Sequence, residues 1–125
     1  MSATAEVPVF CSASSQLEVE LWISFASLLR SHAAMHSIAA PGYPLRIHSK
    51  SNSRLEVFGP VGTLSIVGPN ASGMGATEFR PEAGELGDEY AAFSFTEDGS
   101  ILLEGLEDAL EMEAAVEYLL RKVQA

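Results

Sequence analysis

The sequence predicts an α+β fold: a two-layer sandwich with an N-terminal helix, a mainly antiparallel sheet of five to six strands and a C-terminal helix. Three observations carry this expectation. Apolar residues recur every three to four positions before Pro41-Gly42, alternate with polar ones in the middle of the chain, and return to helical spacing at its end. Clean alternation implies strands with one covered and one wet face, as antiparallel sheets allow. Two apolar helix stripes are the natural cover for the dry face. The β-α-β rhythm of a doubly wound nucleotide-binding fold is missing.

Residues 1–13 are rich in Ser, Ala and Thr without periodicity and read as a disordered N-terminal tail; 14–125 form one domain, within the usual size for a 125-residue chain. The first helix is expected to start at Ser15, because Ser15 and Glu18 have the spacing of a capping box. Leu21, Phe25, Leu28, Leu29, Met35 and Ala39 would form its apolar face, and Pro41-Gly42 its end.

Strand candidates follow: "LRIHSK", "RLEVF", "TLSIV", a weaker "ATEFR", then "EYAAFSFT" and "SILLEG", the last two joined by a turn at "EDG". The last helix lies between Leu106 and Gln124, with a start as late as Glu111. Met112, Val116, Leu119, Leu120 and Val123 form its stripe, while Glu107, Glu111 and Arg121 face away.

Five of the ten glycines fall within "RLEVFGPVGTLSIVGPNASGMG", Arg54 to Gly75. A phosphate-binding loop would need Lys and a hydroxyl residue after its second glycine, where Met74 and Gly75 stand, and Pro69 removes a backbone N–H from the cradle. The segment therefore reads as two strands reversed at "GPVG", each stopped by Gly-Pro, with "NASGMG" left as a loop.

Charge narrows the partners. The formal net charge is −10, and residues 78–125 hold thirteen acids against Arg80, Arg121 and Lys122, while residues 1–77 hold four of each sign. Such a surface repels nucleic acid and anionic membrane. No run reaches the length of a membrane span, the N-terminus lacks a basic region before its short apolar run, and a single cysteine forms no intrachain disulfide; together these suggest the cytoplasm.

Few residues have the makings of a site. His32 and His36 stand one helical turn apart, and His48 follows on the next strand; an i,i+4 pair with a third ligand is a candidate zinc, nickel or copper site, although "HAAMH" lacks the catalytic Glu of HExxH. Glu107, Asp108, Glu111, Glu113 and Glu117 read as a solvated helix face and, with the basic Arg46, Lys50 and Arg54, as candidate protein contacts of opposite charge. No catalytic set is organised: Cys11 lies in the tail and GxSxG is absent. No cofactor is implied.

The element order is similar to that of frataxin-type domains and, less closely, of small acidic secretion-chaperone domains. Frataxin-like proteins place acids on the first helix and adjoining strand, whereas here that helix carries only Glu18 and Glu20. The functional expectation is a non-catalytic cytoplasmic binding or adaptor protein acting through protein contacts, self-association among them; the alternative is a metal- or small-ligand-binding domain using the histidines.

Overall fold

The computed structural model describes residues 13–42, 44–82 and 87–124. Helix α1 (Ala13–Ala39) leads into six strands, β1 (Arg46–Ser51), β2 (Arg54–Gly59), β3 (Gly62–Val67), β4 (Gly75–Pro81), β5 (Glu89–Phe95) and β6 (Ile101–Leu103), and helix α2 (Met112–Arg121) closes the chain. The strands form one antiparallel meander in the order β1-β2-β3-β4-β5-β6. The predicted α+β architecture is thus present, with six strands and no parallel pair among the described residues. Of the expected tail, 1–13, residues 1–12 with Cys11 lie outside those residues, and Ala13 is helical.

Alternation produces the sheet. Ile47, Val57, Leu64 and Phe79 are cross-strand partners on the face that meets the helices, and Leu55 and Ile66 form the next row. Both helices join that face in a single buried cluster: Trp22, Phe25, Ala26, Leu29 and Ala33 from α1, and Ala115, Val116, Leu119 and Leu120 from α2. Phe25, Phe93 and Phe95 meet edge-on or tilted at centroid distances of 5.7 to 6.2 Å, the geometry favoured by ring quadrupoles. Burying side chains of this size stabilises the fold by about 1.5–3 kcal/mol each.

Gly59 and Gly62 are partners across the two-residue turn Pro60-Val61, so "GPVG" is a tight hairpin as expected. Gly75 lies where an added Cβ would overlap the Phe93 ring, which lets the aromatic core close against β4. The loop "NASGMG" is tied to itself: the Asn70 side chain accepts from the Ser72 and Met74 N–H groups, and the Gly73 N–H donates to the Asn70 carbonyl.

Three expectations need correction. Helix α1 is already helical at Ala13, so Ser15 falls inside its first turn and does not begin it. Its buried face is centred on Trp22, Phe25, Ala26, Leu29 and Ala33; Met35 and Ala39, assigned to the core from spacing, are exposed. Apolar residues occupy both sides of this helix, so spacing alone does not select the face that packs. At the other end, α2 starts after Glu111, which leaves Glu107 and Asp108 in the preceding loop and off the helix.

The two sheet edges differ. At β6, Ile101 exchanges both backbone hydrogen bonds with Leu110, each 2.8 Å, and the Leu103 carbonyl accepts from the Leu106 N–H. At β1, Leu45 is held by α1: its N–H donates to Ser37 Oγ at 3.0 Å, and that hydroxyl reaches the Leu45 carbonyl at 3.1 Å. Beyond Leu45 no described residue pairs with the outer edge of β1.

Candidate functional sites

The three histidines do not converge. His32 and His36 follow the inner side of α1 into the groove between the two helices, about 280 Å³, which Glu117, Leu120, Arg121 and Gln124 complete. His48 pairs with Glu56 on the sheet face opposite the helices and stacks edge-on against Phe58, centroids 5.4 Å apart. Among the described residues no group of three or more His, Cys, Asp or Glu side chains is placed to hold a metal ion.

Within the interhelical groove, His32 Nε2 lies 3.8 Å from Glu113 Oε2, a contact that becomes an ion pair only when the imidazole is protonated. His36 Nε2 is buried without a hydrogen-bond partner. Buried polar nitrogens are nearly always paired, so this atom is an unused donor or ligand position on a residue that lines the groove.

The basic residues gather as the alternation predicts. Arg46 and His48 project from the wet side of β1, and Arg54 from β2 beside them. Glu56, at the centre of the group, is 8 % exposed although it stands on the wet face. Lys50 Nζ and Arg54 Nη2 approach its carboxylate at 3.6 and 3.9 Å, and Ser65 Oγ donates to it at 3.5 Å. Two of the three predicted contact bases thus fold over one carboxylate, whereas Arg46 has no ion pair among the described residues.

Farther along that face Tyr90 stands opposite Glu78 and donates its phenolic hydrogen to the carboxylate. Loss of that bond, together with repulsion between phenolate and carboxylate, raises the Tyr90 pKa above the usual tyrosine value. In the β5–β6 turn, the Asp98 carboxylate accepts from the Thr96 hydroxyl and from Ser100, and these bonds lower its pKa. Both groups are exposed, and neither lines a cavity described here.

The acidic candidates are dispersed. Glu107 and Asp108 occupy the loop before α2, Glu111 is its N-cap position without a side-chain cap bond, and all three are exposed. They face solvent on a part of the molecule separate from the basic β1–β2 hairpin.

Two concavities beside α1 were not foreseen from the sequence. One, about 290 Å³, lies between the N-terminal half of α1 and the β1–β2 and β3–β4 turns, with Glu18, Val19, Trp22, Asn52, Ser53, Gly68, Pro69 and Asn70 around it. The Trp22 indole forms its floor. Gly68 lies directly on that ring: a Cβ there would come within 2.9 Å of it. The other, about 350 Å³, runs between α1 and β1, walled by Ile23, Ala26, Ser27 and Arg30 on one side and Ser49, Ser51 and Leu55 on the other. The single tryptophan was the one available sequence signal for both; the contacts themselves join residues some thirty positions apart.

No family model, no curated protein and no solved structure matches this chain. The functional reading therefore rests on the surfaces described above.

Proposed function

We propose that this chain is a non-catalytic cytoplasmic binding or adaptor protein that acts through protein–protein contacts, and that a second copy of itself is one such partner. The observation that supports the reading is the outer face of α1. Val19, Ile23, Met35 and Ile38 are exposed there, Ile38 by 80 %, and Ser27, Ser31 and Ala34 lie between them. A helix that is apolar on both sides usually has something on both sides.

Charge favours a second copy as the occupant. On a chain of net charge −10, two copies repel over most of their surfaces. Along the exposed side of α1 the charges are Glu20 and Arg30, one of each sign, so a two-fold antiparallel pairing of this face brings no net like charge together. Sedimentation equilibrium of the wild type and of an Ala34→Glu/Ile38→Glu variant tests this. Concentration-dependent dimerisation lost in the variant is expected; a wild type that stays monomeric at every concentration overturns the pairing.

The unpartnered His36 nitrogen supports a second reading, a transition-metal or small-ligand site at His32 and His36. Its test is thermal stabilisation by zinc, nickel or copper that disappears in a His32→Ala/His36→Ala variant. Equal stabilisation of both proteins would end it.

A further inference from the structure

Sheet edges are binding templates, and among the described residues one edge of this sheet is closed while the other has no partner. The hydrogen-bond phase of β1 follows from a single contact. The Gly68 N–H donates to the Ser53 carbonyl, which makes Ser53 and Gly68 a bonded pair in the β2–β3 register. In an antiparallel ladder bonded pairs alternate, so Leu55 and Val57 bond to β3, while Glu56 and Phe58 bond to their β1 partners His48 and Arg46. Ile47 and Ser49 must then direct their N–H and C=O groups outward. Leu45 shares that phase, and its outward groups are the ones that Ser37 satisfies. No hydrogen bond among the described residues satisfies the four outward groups of Ile47 and Ser49.

The surroundings of this edge have a definite chemistry. Side chains of a strand added beside β1 would alternate between two environments. On the helix side they would enter the groove between α1 and β1, lined by Ile23, Ala26, Ser27 and Leu55. On the other side they would lie along Arg46, His48 and Lys50. Arg30 spans the groove mouth, donating to Ser49 Oγ at 2.6 Å. From Leu21 to Thr77 the chain holds four bases, Arg30, Arg46, Lys50 and Arg54, and one acid, Glu56, a local net charge of +3 (four minus one) on a chain of −10.

We infer that the open edge of β1, with the groove beside it, binds an extended acidic segment of a partner protein, which adds to the sheet as a seventh strand. This deepens the reading of the chain as a protein-binding module and rests on it. Strand addition supplies affinity through main-chain bonds and specificity through alternate side chains. The segment that fits alternates apolar residues, turned into the groove, with Asp or Glu turned toward Arg46 and Lys50. A second copy of β1 is disfavoured at the same edge, because antiparallel pairing would set one basic strand against another. The irregularity between Ser49 and Ser51 limits the ladder to the straight part of the strand.

The test uses the full chain, isotopically labelled, and a capped heptapeptide of alternating Glu and Val, with a Lys-Val counterpart and an oligothymidylate as controls. Saturable binding of the Glu-Val peptide with slowed amide exchange at Ile47 and Ser49 is expected, with no binding of the Lys-Val peptide. An Arg46→Glu/Lys50→Glu variant should bind about tenfold or more weakly, since charge complementarity sets the choice of partner. Ser27→Phe, which fills the groove from its exposed wall, should weaken binding without altering those charges. Absence of saturable binding, equal binding of the Lys-Val peptide, protection elsewhere than β1, or binding of the oligonucleotide in place of the peptide would each overturn the inference. The Ala34→Glu/Ile38→Glu variant separates the two proposals. Peptide binding by a chain that never self-associates leaves the β1 site standing and removes the α1 pairing, and a dimer that ignores the peptide does the reverse.

Discussion

The indole Nε1–H of Trp22 donates to the backbone carbonyl of Asn52 across 2.8 Å, fastening the middle of α1 to the turn between β1 and β2. The contact joins a core side chain to the hairpin that carries Arg46, Lys50 and Arg54, three of the seven Lys and Arg residues of the chain. It also separates the two concavities beside α1, since Trp22 and Asn52 line both.

Replacing Trp22 by Phe removes that bond and part of a buried ring. The expected loss of stability is about 1–3 kcal/mol, a hydrogen bond of about 1 plus the cost of an unfilled volume. Urea denaturation followed by circular dichroism measures it, and amide exchange in the β1–β2 turn should accelerate more than exchange in β4.

Gly75→Ala is expected to cost about 1–3 kcal/mol, the usual range for overfilling a packed core. The new methyl would overlap the Phe93 ring and stand 2.7 Å from the Val67 carbonyl oxygen, and Phe93 is only 1 % exposed. Gly42→Ala is the control: nothing lies within 4 Å of a Cβ there, and a change within about 0.5 kcal/mol is expected. Thermal melts of the two variants side by side check the contrast.

Ser37→Ala should cost about 1–2 kcal/mol, because the N–H of buried Leu45 loses its acceptor and its carbonyl loses the hydroxyl hydrogen it shares with the Ala33 carbonyl. The effect is local to the junction of α1 and β1. Faster amide exchange at Leu45 than at Val57 in the variant would identify it.

Tyr90 should ionise above the ordinary tyrosine range, and Glu78→Gln should bring its titration back down, as followed by phenolate absorbance. The sign for stability follows from linkage. A folded-state pKa above the unfolded value means that the contribution is present while the phenol is protonated, below the unfolded pKa near 10, and is lost as pH rises through the folded value. Urea midpoints across that alkaline interval should fall more for the wild type than for Glu78→Gln.

The sheet was legible because each strand repeats one physical pattern, a residue in and a residue out, and Gly-Pro marks where two of them stop. That same pattern placed Arg46, His48 and Arg54 on the wet face correctly. It did not reveal that Glu56 would be buried there, since this depends on Lys50 and Arg54 folding over it from positions the alternation leaves free. Helix α1 was legible in extent and misread in orientation: with Val19, Ile23, Met35 and Ile38 on the side opposite Phe25 and Leu29, its sequence offers two apolar faces. The concavities were illegible because their walls come from α1 and from turns distant along the chain. The histidines were separable in principle, for strand parity puts His48 opposite to Ile47, and Ile47 faces the helices.

Closure of β6 by Leu110 has a consequence for assembly. A sheet with two open edges behaves as a bifunctional monomer and can lengthen without limit into a fibre. With one edge stopped, any edge-to-edge association of this protein terminates at a pair, much as a chain stopper ends a polymer. Among the described residues the β6 edge thus offers no second point of growth.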